Sequence, residues 1–524
     1  MKAVTAETMR RLDAVTIRDY QIPGRVLMER AGKAVADAIA AQFLRRQPAS
    51  HVPVCLCAGK GNNGGDAFVT ARHLKMRGVP VCIRTTCFVA DYTGDARSHV
   101  LQALADGIVC RECPDPVDWA STPGDAGDAI SLIVDGILGT GFKGPVGGTA
   151  CAAIEWINRM GRHIPVVSID LPSGLNADTG TPEPIAVRAD LTITLGLPKT
   201  GLLLSPATDH VGRVCPGWIG IPNALIAECD DHLHLITRDD CMQWMPARPA
   251  TSHKGTFGHL LVIGGSTLFT GAPILAGLAA LRSGVGLLTM LVPGALKTAA
   301  TARMPEAMVA APPDSSGETL SVDALRALPR PPSAFQAVIA GPGMGQTPAT
   351  RTLLDNLLQT PPDALVLDAD ALNLLAGQSG TLRACSAPRR VLTPHPGEAA
   401  RLLGCDIEMV QQDRLSAARQ LAELTGSTVV LKGAGTVVTA PGEPPWINRT
   451  GNPGMAKGGM GDVLAGIIGA LLAQGLCAMD AARLGVFLHG TAGDCAAGEQ
   501  SQPGLTAQDV IACLPAAWHT LACR

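Results

Sequence analysis

The sequence has few charged residues and only a small excess of one sign. Charged side chains make up 17% of its 524 residues, and the formal net charge is -3. This balance gives no electrostatic reason to expect nucleic acid or an anionic membrane surface as a partner. Hydrophobic residues reach 47%, which argues against a disordered chain and indicates extensive burial.

Long apolar runs are also missing. No uninterrupted apolar stretch is long enough to span a bilayer, and the N-terminus lacks the apolar core of a signal peptide. Charged residues interrupt that N-terminus from its start: Lys2, Glu7, Arg10, Arg11 and Asp13. We therefore expect a cytoplasmic protein.

The 16 cysteines lack the spacing of a metal or redox site. Cys110 and Cys113 form the one obvious C-x-x-C pair, and neither a second pair nor an adjacent histidine accompanies them. Most other cysteines lie in apolar patterns, as in Val54–Cys57, where they behave as small buried hydrophobic residues. We expect reduced thiols without a zinc or redox role.

The length of the chain predicts two or three domains. Hydrophobic periodicity lapses between Pro222 and about Gly258, so we place a boundary near residues 220–235 and assign the domains to residues 1–225 and 226–524. The two halves show no fixed-period repeat. Each half alternates strand-like and helix-like segments, and the predicted fold class is therefore α/β, with a parallel sheet in the first half.

The first half contains half of a nucleotide-binding unit. A strand at Pro53–Ala58 leads into the glycine loop Gly59–Asp66, and we expect a helix from Ala67 to Arg77. Helical periodicity precedes this unit at residues 3–19 and 26–44. Further strands are predicted at Val79–Thr85, Ser131–Asp135, Pro165–Asp170 and Asp190–Leu195.

Polar residues collect where these strands end, at the edge where open α/β sheets bind ligands. They are Asn62, Asn63 and Asp66 after the first strand, Asp135 and Gly139–Pro145 after a later one, and Asp170, Ser173 and Gly174 after the next. The glycine loops could wrap phosphates, and Asn63, Asp135 and Ser173 offer hard oxygen ligands to a weakly held cation. Any one loop alone could be a simple turn.

The second half contains the most informative stretch, Asn452–Val463, which runs into an apolar helical pattern from Leu464 to Gln474. Its glycines let backbone N–H groups approach an anion at the positive end of the helix. Asp462 then stands beside the bound phosphate, placed to take a proton from an attacking hydroxyl. The alternative is that Asp462 only caps the helix, but Lys457 in the same loop favours a functional site.

Other strand ends of the second half could face the same ligand. The predicted strands are His259–Ile263, Leu287–Val292, Ala337–Ala340, Ala364–Leu367, Val391–Thr393 and Thr428–Leu431. The loops that follow four of them are Gly341–Gly345, Asp368–Asn373, Thr393–Glu398 and Lys432–Thr436. Lys432 could add charge, and Glu398 or Asp368 could reach a metal. Each loop alone could be a turn, and the Asp368 cluster could cap a helix.

The first-half motifs Gly61–Asp66, Asp135–Gly141 and Asp170–Asn176 resemble the NAD(P)H-hydrate epimerase domain, which is Rossmann-like. The resemblance implies a potassium ion at Asn63, Asp135 and Ser173 and makes Asp170 the acid/base candidate. Lys199 could assist, or it could be an ordinary surface lysine. The implied dinucleotide-binding residues are Asn62, Asn63, Gly64, Gly65, Asp66, Gly139, Thr140, Gly141, Phe142, Lys143, Gly144, Pro145 and Asp170.

The second half resembles the ribokinase-like group, and within it the ADP-dependent NAD(P)H-hydrate dehydratases, most specifically at Asn452–Asp462. The resemblance implies that Asp462 is the catalytic base and that Mg²⁺ assists. The implied hydrate-binding residues are Ala272, Gly343, His395 and Asp462, and the implied ADP-binding residues are Lys432, Gly433, Ala434, Gly435, Thr436 and Gly461. His395 could stack on a nicotinamide, or it could be a helix-start histidine near solvent.

Together the resemblances imply two three-layer α/β domains that repair damaged cofactors. The first would epimerise the R and S forms of hydrated NAD(P)H, and the second would dehydrate the S form with ADP, giving AMP and phosphate. We expect small-molecule substrates, no nucleic acid or membrane partner, and a homo-oligomer. The alternative is a vitamin-precursor kinase whose first domain is a non-catalytic binding module.

Overall fold

The computed structural model describes residues 1–44, 52–120, 129–142, 144–204, 206–229, 232–312 and 319–522. The chain forms two compact units, Met1–Leu233 and His234–Arg524, whereas the sequence analysis placed the boundary between residues 225 and 226. Among the described residues, none of the helices has the length and apolar character needed to cross a membrane.

In its described residues, the first unit contains a seven-stranded parallel sheet in the order β3-β2-β1-β4-β5-β6-β7. Its strands are β1 Val54–Ala58, β2 Val81–Thr85, β3 Val109–Glu112, β4 Leu132–Gly136, β5 Val166–Ile169, β6 Leu191–Leu195 and β7 Arg213–Gly217. This is the doubly wound, Rossmann-like order, which reverses between β1 and β4. Ligands of such sheets bind at the carboxyl ends of the strands beside that reversal.

Helices cover both faces of this sheet. They are α1 Ala6–Arg18, α2 Gly24–Ile39, α3 Asn62–Met76, α4 Gly94–Ala105, α5 Gly148–Met160, α6 Thr208–Val211 and α7 Asn223–Ala227. Alternate strand residues, such as Leu56 and Val134, share a core with α2 and α3, and their neighbours, such as Cys57 and Ile133, share another with α5. The predicted three-layer α/β architecture is confirmed for this unit.

Three details of the first unit differ from the sequence-based expectations. Helix α3 begins at Asn62 rather than Ala67, because packing against α2 outweighs the low helix propensity of Gly64 and Gly65. Strand β3 was not predicted, since it lies at an edge and is mostly exposed. The unpredicted β7 is the other edge strand and contains Pro216, a residue that argues against a central strand.

In its described residues, the second unit contains a ten-stranded sheet in the order β11-β10-β9-β12-β13-β14-β15-β16-β17-β8. Its strands are β8 His234–Leu235, β9 His259–Ile263, β10 Leu287–Leu291, β11 Met308–Ala310, β12 Ala337–Ala340, β13 Ala364–Leu367, β14 Arg389–Leu392, β15 Thr428–Leu431, β16 Thr436–Thr439 and β17 Trp446–Asn448. From β11 to β15 in this sheet order, neighbouring strands run parallel. Strand β16 runs antiparallel to both β15 and β17. The sequence analysis missed β8, β11, β16 and β17, which are short and lie toward the ends of the sheet.

The second unit is built around an almost entirely buried helix, α17, which packs against α9 and the central strands. Its helices are α8 Arg238–Gln243, α9 Gly271–Arg282, α10 Lys297–Arg303, α11 Pro348–Gln359, α12 Asp370–Leu374, α13 Ser379–Ala384, α14 Pro396–Leu403, α15 Ile407–Gln412, α16 Arg414–Thr425, α17 Met460–Ala473, α18 Ala478–Gln500 and α19 Ala507–Ala522. The unit is a ribokinase-like α/β domain, as predicted. Helix α17 starts before the predicted Leu464, so Asp462 lies within its first turn.

Candidate active sites

A cavity of about 920 Å³ opens in the first unit at the carboxyl ends of β1 and β4. Most of the dinucleotide-binding residues predicted there line it: Asn62, Asn63, Asp66, Gly139, Thr140, Gly141, Phe142 and Asp170. The N-terminal part of α3 supplies three of them, and the N–H groups of its first turn point toward the cavity end of the helix, where an anion is stabilised. The strand-end residues therefore share one rim.

The remaining predicted residues of this set lie elsewhere. Gly65 faces the core, because a Cβ there would lie 2.6 Å from the Met28 sulfur. Gly64 packs against the backbone of Gly59. Gly144 lines a second cavity of about 210 Å³, which shares Thr140 with the first. Pro145 is exposed, and Lys143 lies outside the described residues.

The three predicted cation ligands meet beneath the cavity. Asp135 is fully buried and accepts hydrogen bonds from the Ser173 backbone N–H at 2.9 Å and the Ser168 hydroxyl at 2.8 Å. Asn63 donates its amide to the Leu138 carbonyl at 2.8 Å, and the Ser173 hydroxyl lies 3.3 Å from the same carbonyl. Burial raises the pKa of Asp135, and these hydrogen bonds oppose the rise.

The side-chain amide of Asn63 has one unpaired polar atom. Its Oδ1 is buried and has no hydrogen-bond partner within the described part of the chain. An unpaired buried oxygen beside a buried carboxylate is costly unless a cation or water satisfies it. The donor set of Asn63, Asp135 and Ser173 therefore fits a weakly held cation.

Asp170 lies at the end of β5 in an uncommon backbone conformation, with φ at 68°. A non-glycine residue in this region costs of order 1–3 kcal/mol, and such strain clusters at functional sites. The Asp170 carboxylate forms an ion pair with Lys199 and accepts a hydrogen bond from the Leu195 N–H at 3.1 Å. Lys199 is 1% exposed, so the interpretation of Lys199 as a surface lysine is wrong.

Four more carboxyl groups line this cavity: the exposed Asp91 and Asp95, and Asp13 and Asp66. The sequence analysis assigned Asp66 only to dinucleotide binding and gave Asp13 no role. Burial raises the pKa of Asp66 well above its usual range, and Asp170 and Asp13 add to the effect. Burial also raises the pKa of Asp13 to about 6, and Lys199 opposes that rise. The available signal was the spacing of Met9, Asp13 and Ile17, which places an acid on the cavity face of α1.

In the second unit, Asp462 lies in the first turn of α17, as the third helical residue after the N-cap Gly459. Gly459 has φ at 91°, and no side chain caps this helix, so Asp462 is not the cap. Burial raises the pKa of Asp462 to about 7, and Asp368 adds to the rise. A carboxyl that titrates near neutrality is suited to general-base work. Lys457 instead donates to the Pro503 carbonyl and is exposed.

Behind Asp462 lies a buried charged cluster. The Lys432 ammonium contacts the Asp368 carboxylate at 2.8 Å and approaches Glu398 at 3.8 Å. A Cβ added to Gly461 would lie 3.1 Å from the Lys432 ammonium, so α17 reaches this cluster directly. Burial raises the pKa of Glu398 to about 7. Asp368 also accepts from the Thr393 hydroxyl at 2.8 Å, so its side chain binds the cluster and does not cap α12.

The glycine loop after β12 brings two other predicted residues together. Gly343 has φ at 61°, and a Cβ on it would lie 3.1 Å from Ala272. The N–H of Gly345 donates to the Asp370 carboxylate at 2.9 Å, which ties this loop to the segment after β13. The predicted hydrate-binding residues Ala272 and Gly343 therefore share one end of the sheet with the charged cluster.

His395 is the N-cap of α14, and its Nδ1 accepts hydrogen bonds from the Gly397 and Glu398 N–H groups. Its side chain is half exposed, and burial of the rest lowers its pKa. The Nε2 atom lies 3.3 Å from Glu398, which places the ring beside the cluster. His395 therefore starts a helix, and half of its side chain remains accessible.

The predicted ADP-binding residues Lys432–Thr436 form the turn between β15 and β16, and the Thr436 hydroxyl donates to the Gly433 carbonyl at 2.8 Å. The sequence analysis missed Arg414, which holds this turn by donating to the Leu431 and Lys432 carbonyls at 3.1 Å each. Arg414 begins α16 as an ordinary helical arginine, and nothing in its sequence neighbourhood marks it.

Two family models match the chain. A model described as the N-terminus of YjeF-related proteins matches residues 24–201, and a model described as NAD(P)H-hydrate dehydratase matches residues 260–516. A crystal structure of the ADP/ATP-dependent NAD(P)H-hydrate dehydratase of Bacillus subtilis, co-crystallized with ATP and Mg²⁺, is 31% identical. It covers 55% of this chain and 98% of that one, with a TM-score of 0.47.

Curated relatives match the chain over nearly its whole length. The bifunctional NAD(P)H-hydrate repair enzyme of Escherichia coli is 35% identical over 93% of this chain and 88% of that protein. The corresponding enzyme of Moorella thermoacetica is 41% identical over 98% of this chain and 96% of that protein. By that full-length identity and by the two family models in tandem, the chain belongs to the family of bifunctional NAD(P)H-hydrate repair enzymes.

Proposed function

We propose that the protein restores hydrated NADH and NADPH to their reduced forms, epimerising the hydrate in its first unit and dehydrating the S form in its second. One observation carries the proposal. Each unit places a candidate catalytic aspartate, Asp170 or Asp462, beside the phosphate-binding loops of its own sheet. Two such sites on one chain fit two consecutive reactions on the same dinucleotide.

In the dehydratase reaction, Asp462 removes the proton from the hydroxyl group of the hydrated ring. The freed oxygen attacks the terminal phosphorus of ADP, and AMP leaves with the electron pair of the broken P–O bond. The lone pair of the ring nitrogen then expels phosphate from the adjacent carbon. The resulting cation loses a ring proton and becomes the reduced nicotinamide. A phosphate ester is a far better leaving group than hydroxide, which is why the nucleotide is consumed.

The surrounding residues support the transfer. The α17 N-terminus offers N–H groups to the transferred phosphate, and Lys432, held by Asp368, keeps a positive charge beside Asp462. The carboxylates of Asp368 and Glu398 are donors of the kind that Mg²⁺ prefers, directly or through water. A bound Mg²⁺ would supply electrostatic stabilisation of the phosphate oxygens. The Lys432–Thr436 turn would hold the ADP.

In the epimerase unit, the glycine loops at α3 and Gly139–Phe142 would hold the dinucleotide phosphates. The unpaired Oδ1 of Asn63, with Asp135 and Ser173, supports a potassium site beneath them. Potassium would fix the two loops relative to each other. Asp170, with its charge balanced by Lys199, is the acid/base group at the hydroxyl-bearing carbon.

The experiment that tests the function supplies both hydrate epimers, ADP and Mg²⁺, and follows the absorbance of the reduced nicotinamide. Complete recovery faster than spontaneous epimerisation is expected. Recovery that stops at one epimer would remove the epimerase part of the proposal. Formation of a stable phosphorylated vitamin precursor without recovery of NAD(P)H would favour the kinase alternative. Parallel reactions with ATP establish which nucleotide is preferred, and we propose ADP.

Two further expectations belong to the proposal. We propose that the protein works as a homo-oligomer in the cytoplasm, which sedimentation and cell fractionation would test.

A further inference from the structure

Helix α1 forms one wall of the epimerase cavity. Met9, Arg10, Asp13 and Ile17 all line it. Arg10 donates to the Thr140 carbonyl at 3.1 Å, which ties the helix to the glycine loop after β4. This contact fixes α1 against the rim, and Asp13 on the same helix lines the cavity.

The Asp13 carboxyl group is incompletely satisfied. Its Oδ1 is buried and finds no hydrogen-bond partner among the residues that the structure describes. Leaving a buried polar oxygen unpaired costs about 1–3 kcal/mol, so such atoms call for an explanation. The Asp13 side chain caps no helix and forms no ion pair among the described residues. Because it lines the cavity, a ligand bound there is the available partner.

Asp13 and Asp170 reach the cavity from different elements and in different states. Asp170 follows strand β5 and is paired with the Lys199 ammonium, which balances a negative charge. Asp13 comes from α1 and forms no ion pair among the described residues; Lys199 attracts its carboxylate, and Asp170 repels it. Two carboxyl groups held in such different surroundings are typical of an acid and base pair. Asp66 also lines the cavity, but it lies near the N-terminal end of α3, where the dinucleotide phosphates are expected.

We propose that Asp13 is the second proton-transferring group of the epimerase site, acting on the face of the hydrated ring opposite Asp170. The inference rests on the proposed function. Inversion needs a proton delivered on one face and removed on the other, and α1 and the end of β5 each bring one carboxyl group to this cavity.

The proposed reaction needs no co-reactant other than water. Protonated Asp13 gives its proton to the hydroxyl group, the C–O bond breaks with its electron pair on oxygen, and water leaves. The lone pair of the ring nitrogen forms a C=N bond to the same carbon. Water then attacks that carbon from the other face, Asp170 takes its proton, and the C=N pair returns to nitrogen. Proton exchange with solvent resets both carboxyl groups, and the opposite epimer uses the same path in reverse.

The test uses the full-length protein with Asp13→Asn, which keeps the shape of the side chain. Asp19→Asn, an exposed change at the end of the same helix, is the matched control. Each variant receives one purified hydrate epimer without ADP in ¹⁸O-water, and chromatography with mass spectrometry separates inversion from oxygen exchange. Calorimetric unfolding checks the fold, and dehydration of the S epimer with ADP checks the second site.

We expect Asp13→Asn to slow inversion about 100-fold or more, the range that positioned acid/base groups contribute. Oxygen exchange should continue in the one epimer whose hydroxyl group faces Asp170, because departure and return of water on that face need no Asp13. Inversion near the wild-type rate, or loss of exchange in both epimers, would overturn the assignment. Wild-type protein without inversion would instead refute the epimerase function itself.

Discussion

At the scale of single residues, the two sites depend on carboxyl groups that are buried in the protein. Asp462 has a pKa of about 7 and Glu398 behind it the same, whereas Asp170 is balanced by a buried lysine. A buried carboxyl group is costly to ionise, so its charge is available only where a neighbour or a substrate compensates it. The chemistry of each unit is therefore sensitive to single-atom changes at these positions.

The change Asp462→Asn should slow dehydration about 100-fold or more, because the amide cannot accept the proton of the attacking hydroxyl. Epimerisation should continue at the wild-type rate. The converse is expected of Asp170→Asn. Separate assays of NAD(P)H formation and of R-to-S conversion test both variants. Loss of both activities in either variant would contradict two separate sites.

The pH dependence of dehydration should report Asp462. As a general base it acts only when deprotonated, so kcat/KM should rise with pH and level off above a pKa of about 7. The charged groups around it are Asp368, Asp370, Glu398 and Lys432, and the nearby carboxylates raise that pKa while Lys432 lowers it. Rates at saturating ADP between pH 5 and 9 give the profile, and a profile flat through neutrality would exclude this base.

At the scale of elements, the start of α3 shows what the sequence could and could not predict. The strand before it was placed within one residue, because a buried five-residue apolar run has a strong signal. The helix start was missed because the glycines that usually mark a loop are here required by close packing. Local composition is ambiguous wherever tertiary contacts, and not propensity, decide the backbone.

Two serine substitutions in this segment test whether glycine is required there by close packing or only by the composition of a loop. A Cβ on Gly64 would lie 1.7 Å from the Gly59 carbonyl oxygen, whereas nothing lies within 4 Å of one on Gly61. Gly64→Ser should destabilise the first unit by about 1–3 kcal/mol, the usual cost of overpacking, and weaken epimerase activity. Gly61→Ser should leave the stability of the first unit unchanged, because Gly61 is the N-cap of α3 and serine suits that position.

Calorimetric unfolding of both variants, with the epimerase assay, measures the difference. Equal unfolding temperatures for Gly64→Ser and wild type would show that the contact between α3 and the preceding loop is not as close as described.

The unpredicted strands share a physical cause. Strands β16 and β17 pair antiparallel at the far side of the second sheet, and β8 adds only two residues. Such short pairings have no periodic signal and depend on chain segments distant in sequence. The same holds within the sites. The motifs could be recognised from the sequence because glycine and aspartate spacing is local, whereas Asp13 and Arg414 are brought to the candidate sites only by contacts that the fold creates.

At the scale of the whole molecule, each unit has its own sheet and its own hydrophobic core. Domains with separate cores can fold alone. We therefore expect the fragments of residues 1–233 and 234–524 to be produced folded, the first with epimerase and the second with ADP-dependent dehydratase activity. Circular dichroism, thermal unfolding and the two assays test this. A fragment that aggregates, or that regains activity only when mixed with the other, would contradict independence.

The extended residues ahead of α1 have a practical consequence for enzymology. Val4 pairs with Lys199, donating to the Pro198 carbonyl and accepting from the Thr200 N–H, so the first few residues help to hold the lysine that balances Asp170. Trimming those residues would remove that pairing. A preparation altered there could lack epimerase activity while its dehydratase remained intact, and be mistaken for a monofunctional enzyme.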